Sequence, residues 1–75
     1  MNTVRETARI ARWASDITTR RGRGETIAAG ELLDYQRAKV ALLAAIAERE
    51  PSDQTAETLA DARAQLAELE RAGAD

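Results

Sequence analysis

Two short segments divide this chain into three stretches, each long enough to form a helix. The first is 21–24, with the sequence RGRG, where glycine tolerates the left-handed backbone that ends helices. The second is centred on Pro51, which disfavours the helical conformation of the preceding Glu50. The sequence predicts three helices and two breaks, with helices at about 3–20, 29–49 and 53–72 and breaks at 21–25 and 50–52.

The composition between the breaks favours helices throughout. Ala, Leu, Glu, Arg and Gln dominate, and no segment sustains the two-residue alternation of a strand. The 75 residues suffice for one domain, 1–75, and alanine supplies 17 of the hydrophobic residues. Because few large apolar side chains remain and no disulfide is available, we expect a thin core that self-association supplements. The sequence therefore predicts an all-α domain that forms a homo-oligomer.

The second predicted helix is the central element, because its apolar residues spread over roughly half of its circumference. Leu43 lies near the middle of this arc, and a face this wide can contact two neighbouring helices. The arc is formed by Leu32, Leu33, Tyr35, Val40, Leu42, Leu43, Ile46 and Ala47. Near its start, Glu31 occupies the third helical position if Ala28 is the N-cap, close to the positive end of the helix.

The third predicted helix carries a narrower apolar line with three- and four-residue spacing, typical of a coiled-coil seam. Pro51 and a good N-cap at Ser52 or Asp53 join it to helix 2 through a short turn. We expect a small three-helix domain built round an antiparallel hairpin of helices 2 and 3, with coiled-coil-like packing. The seam consists of Leu59, Ala62, Leu66 and Leu69.

The first predicted helix is strongly basic. Residues 1–24 carry a net charge of +4 and residues 25–75 a net charge of −6. An asymmetry of this kind suggests that the basic end meets something negative. We expect the arginines of helix 1 to lie opposite its apolar residues, which include Ile10, Trp13 and Ile17.

These arginines are the candidate contacts to phosphates or to an acidic partner, since the guanidinium fork matches phosphate and carboxylate oxygens. The negative partner is either nucleic acid or an acidic protein surface, which includes the acidic remainder of this chain or of a second copy. The candidates are Arg5, Arg9, Arg12, Arg20, Arg21 and Arg23.

A second candidate surface combines helices 1 and 2. Trp13 is either a core residue or an anchor for a partner, because tryptophan is enriched at binding hot spots. Gln36 and Lys39 fall inside the apolar arc of helix 2, where they either remain as a satisfied polar pair at its rim or set register and partner choice. The candidate partner interface comprises Ile10, Trp13, Ile17, Tyr35, Gln36 and Lys39.

Several classes of function are disfavoured by what the sequence lacks. Without Cys or His the chain has no thiolate, imidazole or usual zinc chemistry, so we expect no enzyme activity, no cofactor and no metal. No apolar run approaches the roughly 18 residues of a membrane span, and no signal peptide opens the chain. We therefore expect a cytoplasmic protein and no membrane partner.

The leading hypothesis is a small helical protein–protein interaction module that self-associates and acts as an adaptor or regulator. The alternative is a nucleic-acid-associated regulator that uses the arginine face of helix 1. A predicted net negative charge on helix 3 argues against that helix as a reader of DNA, because phosphates repel it.

Overall fold

The computed structural model describes residues 3–73, which form three α-helices: α1 at Thr3–Gly22, α2 at Ala29–Arg49 and α3 at Asp53–Gly73. No strand occurs within this range. The prediction of an all-α three-helix domain is confirmed. The bounds of α2 agree with the prediction, whereas α1 continues two residues past its expected end at residue 20.

A glycine turn ends α1 and explains its extra length. The N–H of Glu25 donates to the carbonyl of Arg20 and the N–H of Gly24 to that of Arg21, each at 3.0 Å. This paired pattern is the Schellman motif, which places its left-handed residue one position past the helix cap. That residue is Gly24, with φ of 81°. Because Gly24 rather than Gly22 takes the left-handed conformation, the helix passes through the first glycine.

Reciprocal hydrogen bonds from a short turn begin α3. The N–H of Thr55 donates to Oγ of Ser52 at 3.1 Å, and the N–H of Ser52 donates to Oγ1 of Thr55 at 3.0 Å. This arrangement is a capping box in which threonine replaces the usual glutamate. Of the two caps that the sequence allowed, the structure therefore uses Ser52 and not Asp53.

The three helices lie side by side with α2 in the middle. α2 packs against α3 over the larger of two interfaces and against α1 over the smaller, while α1 and α3 make no backbone approach to each other within residues 3–73. Arg49, at the end of α2, donates from Nη1 to Oγ1 of Thr3 at 3.0 Å. This bond and the short turns between the helices show that neighbouring helices are antiparallel. α1 and α3 therefore run in the same direction.

This arrangement leaves the molecule more open than a closed bundle. Its radius of gyration is 13.3 Å, against about 11 Å for a compact domain of this length. Its accessible surface is 5353 Å², which exceeds the area of a typical folded monomer of this mass by roughly 800 Å².

The core is small and lies along both sides of α2. Leu42 is buried, whereas Leu43, which we expected near the centre of the packed face, is only half-buried. The reason is that α1 and α3 cover the flanks of the apolar arc and leave its middle, where Leu43 lies, partly open. The buried hydrophobic residues are Ile10, Ile17, Ile27, Leu42 and Ala62.

Candidate interaction surface

Glu31 connects α1 to the first turn of α2. Its Oε2 accepts a hydrogen bond from Nε1 of Trp13 at 2.9 Å, and its Oε1 accepts one from Nη1 of Arg20 at 2.9 Å. Nη2 of Arg20 forms a further ion pair with Glu31 and contacts Oδ2 of Asp16 at 2.8 Å. The bidentate contact between Arg20 and Glu31 fixes the orientation of α1 relative to α2.

The charges in this cluster stabilise each other. Hydrogen bonds from Arg20 and then from Trp13 to its carboxylate lower the pKa of Glu31 to about 2. The hydrogen bond to Glu31 and the charge of Asp16 raise the pKa of Arg20. Nε of Arg20 is buried without a hydrogen-bond partner in the described part of the chain, because the side chain directs its two terminal nitrogens at carboxylates. Glu31 therefore stays ionised at all but strongly acidic pH.

Aromatic contacts extend this junction. The rings of Trp13 and Tyr35 meet edge to face with centroids 5.5 Å apart and planes at 78°. The guanidinium carbon of Arg9 lies 5.8 Å from the Trp13 centroid, a cation–π contact. Trp13 is thus half-buried and contacts side chains of both α1 and α2.

Gln36 links α2 to α3. It is buried, and its Nε2 donates to the carbonyl oxygen of Ala62 at 2.9 Å and to Oε1 of Gln65 at 3.4 Å. Ala62 is only 2% exposed, so the two helices approach closely at this point. The side-chain amide of Gln36 therefore has its hydrogen-bond partners on α3.

An open groove runs between α1 and α3, and α2 forms its floor. Its volume is about 320 Å³. The two charged residues of its lining, Arg21 and Lys39, are both basic, and neither forms an ion pair within residues 3–73. Apolar and neutral polar side chains make up the rest. The lining comprises Ala14, Ile17, Thr18, Arg21, Leu32, Tyr35, Gln36, Lys39, Gln65 and Leu69.

The groove unites only part of the interface that the sequence suggested. Ile17, Tyr35, Gln36 and Lys39 line it, whereas Ile10 and Trp13 do not. Ile10, Ile17 and Gln36 are buried against neighbouring helices. The surface that remains accessible to a partner is therefore centred on Tyr35, Lys39 and residues that the sequence analysis did not select.

The arginines do not form one uniform face. Arg20 is drawn to the α2 side by Glu31, and Arg9 lies over Trp13, so neither lies opposite the apolar face as expected. Arg9 also pairs with Glu6, at 3.0 Å, as a neighbour on the same helix. The correction follows from geometry: residues four apart on a helix are neighbours, which places Arg9 beside Trp13.

The other arginines lie at the surface. Arg23 is 4.0 Å from Glu25, a distant pair in solvent. Arg5 is exposed on α1. Arg12 and Arg21 are exposed and make no ion pair in the described range 3–73. The basic charge is thus distributed between an internal bridge at Arg20 and several separate surface positions.

A second hollow of about 300 Å³ lies where α1 begins and α2 ends. Val4 is 81% exposed there, the one large hydrophobic side chain exposed to that degree in the described chain. Ile46 and Arg49 form part of its wall. Its volume is close to that of the groove.

Among residues 3–73, no group of three or more His, Cys, Asp or Glu side chains is placed to hold a metal ion. In the same range, no helix has the length and apolar character needed to cross a bilayer.

The sequence did not predict the partners of Glu31 or the position of Leu69. The carboxylate of Glu31 was placed near the start of α2, but its partners lie 11 and 18 residues away, beyond any helical spacing. Leu69 was assigned to the seam of helix 3, and no local signal placed it beside Arg21. A prediction that α1 folds back beside α2 would have brought Glu31 within reach of Arg20.

Comparisons with protein families, with curated proteins and with solved structures find no match for this chain.

Proposed function

We propose that this chain is a small non-enzymatic protein–protein interaction module that self-associates and acts as an adaptor or regulator. The observation that carries the proposal is the groove, because it leaves the middle of a wide apolar arc without cover. Buried apolar surface is the main favourable term in protein association. A groove between two helices that presents apolar side chains such as Leu32 and Leu69 is a typical site for a partner helix.

The size of the uncovered surface supports the proposal. The accessible surface of 5353 Å² is larger than that of a typical folded monomer of this mass. The buried hydrophobic residues in the described chain are few, and Ala62 is one of them. Association would therefore supply burial that the isolated chain lacks.

Light scattering and thermal denaturation over a range of protein concentrations test self-association. We expect a mass above 8.2 kDa at micromolar concentration and a midpoint temperature that rises with concentration, because mass action stabilises an assembling fold. A mass of one chain at every concentration, with an unchanging midpoint, would contradict the proposal.

A second candidate function is binding of nucleic acid through the arginines of α1. Arg12 and Arg21 favour it, since both are exposed without an ion pair in the described residues. Arg9 and Arg20, by contrast, have acidic partners in this chain. Nucleic-acid binding therefore has weaker support than self-association, because only some of the arginines remain available to phosphates.

Fluorescence anisotropy with labelled DNA and RNA at several salt concentrations separates the two functions. If the alternative is correct, Arg12→Gln combined with Arg21→Gln lowers affinity and reduces the salt slope by about two units. Absence of binding even at low salt would remove the alternative. Binding at physiological salt would instead place it above self-association.

A further inference from the structure

We infer that the groove between α1 and α3 is the contact surface of a two-fold symmetric dimer, in which α1 of each copy lies over α3 of the other. The inference rests on the proposed self-association and adds to it the surface and the arrangement. A second copy is the occupant because Arg21, on the α1 wall of the groove, is complementary in charge to the exposed carboxylates on the outer rim of α3.

The α1 side of the groove is basic. Arg21 lines it from the last turn of α1, and Lys39 rises from the floor. Neither has an acidic partner within the part of the chain that the structure describes. An occupant that covers the α1 wall is therefore favoured if it presents a carboxylate to Arg21, since a buried unpaired charge opposes binding.

The α3 side of the groove is acidic along its outer rim. Gln65 lines the groove, and Asp61 and Glu68 lie four residues before it and three after it, which places them on the same side of α3. Both are exposed. Glu68 pairs only with Arg71, one turn further along the same helix, a solvent-exposed contact of little energetic weight.

The positions along the groove match as well. The hydrogen bond from Gln36 shows that Gln65 lies beside Gln36 along the length of α2. From there α3 runs toward the start of α2. Glu68 therefore lies toward the end of the groove at which α2 starts. Arg21 lies at the same end, because the preceding residue, Arg20, is bonded to Glu31 in the first turn of α2. By the same reasoning, Lys39 and Asp61 lie toward the other end of the groove.

One symmetry operation brings these charges together. A two-fold axis parallel to α2 turns the groove of the second copy toward that of the first and places its α3 over α1. Each residue keeps its position along the direction of the axis. Arg21 then faces Glu68 of the second copy. The alternative two-fold axis, perpendicular to the helices, would place basic wall over basic wall. Because the interface is isologous, the Arg21–Glu68 pair occurs twice.

Charge reversal tests this arrangement in the full-length chain. Arg21→Glu and Glu68→Arg each place like charges opposite one another at two symmetric positions, and we expect each to raise the dimer dissociation constant by at least about tenfold. Mixing the two variants in equal amounts restores association, because each copy then supplies the charge that the other lacks. Sedimentation equilibrium measures both effects.

Arg12→Glu is the matched control, since it makes the same charge change on the opposite side of α1. Both test residues are exposed, and far-UV circular dichroism verifies that each variant stays helical. If the wild type dimerises but Arg21→Glu behaves like Arg12→Glu, the groove is not the interface, although the proposed function stands. If both variants weaken the dimer and the mixture does not recover it, the α1-over-α3 arrangement is wrong. A monomeric wild type would overturn both.

Discussion

The two helix–helix interfaces of this chain depend on different interactions. Charge and aromatic contacts join α1 to α2, through Glu31, Arg20 and the Trp13–Tyr35 ring pair. Close approach joins α2 to α3, where Ala62 is almost fully buried and a neutral amide bond spans the helices. The first interface is therefore sensitive to pH and salt, and the second to side-chain volume.

The largest expected effect is on the α2–α3 interface. Ala62→Leu adds three carbon atoms where the helices are closest and should cost about 1–3 kcal/mol of unfolding free energy, because packed interiors resist added volume. Ala64→Leu, an exposed change on the same helix, should cost less than about 0.5 kcal/mol. Urea denaturation measures both, and equal losses would show that Ala62 is not a close contact.

The next effect is a pH dependence of the α1–α2 interface. The pKa of Glu31 is lowered from 4.5 to about 2 in the fold, so its ionised form contributes stability that is complete above about pH 5. That stability is lost as the pH falls from 4.5 through 2, because the unfolded state takes up the proton first. Glu31→Gln should lower the midpoint temperature at neutral pH and should match the wild type near pH 2.

Glu48→Gln is the control for this pH profile, since Glu48 lies exposed on the same helix and forms no ion pair in residues 3–73. Thermal denaturation followed by circular dichroism between pH 2 and 7 compares the three proteins. A constant difference between wild type and Glu31→Gln across this range would show that the carboxylate acts through its shape and not through its charge.

The smallest expected effect concerns the polar bond of the α2–α3 interface. Gln36→Leu removes the hydrogen bond to Ala62 but leaves that carbonyl its intrahelical donor, so no buried group is left unpaired. The change in unfolding free energy should stay within about 1 kcal/mol. A loss as large as that of Ala62→Leu would show that the amide, and not close packing, holds α3 in place.

The helices could be predicted from the sequence because their limits depend on local chemistry. Pro51 and the adjacent Ser52 specify where α3 starts through backbone and capping preferences alone. The end of α1 was predicted two residues early. Two glycines were available, and only the completed hydrogen-bond pattern of the turn shows that Gly24 takes the left-handed conformation.

The candidate surface was only partly predictable, because it depends on which helices meet. Helical phase placed Leu43 mid-arc, but phase does not show whether a neighbour covers the middle or the flanks of an apolar face. For the same reason Tyr35 and Lys39 were identified while Leu69 and Gln65, contributed by α3, were not. Contacts between distant segments carry no spacing signal in a single sequence.

Because α1 and α3 each contact α2 and make no backbone approach to each other in the described chain, the three helices form a short linear array. In such an array stability is nearly a sum of nearest-neighbour terms, as in repeat proteins. Substitutions at Glu31 and at Ala62 should therefore have additive effects on the isolated chain. In the isolated chain, we expect that α1 can detach from α2 while α3 stays docked, and the reverse. Cooperative unfolding of all three helices would then require the contacts that the second copy adds.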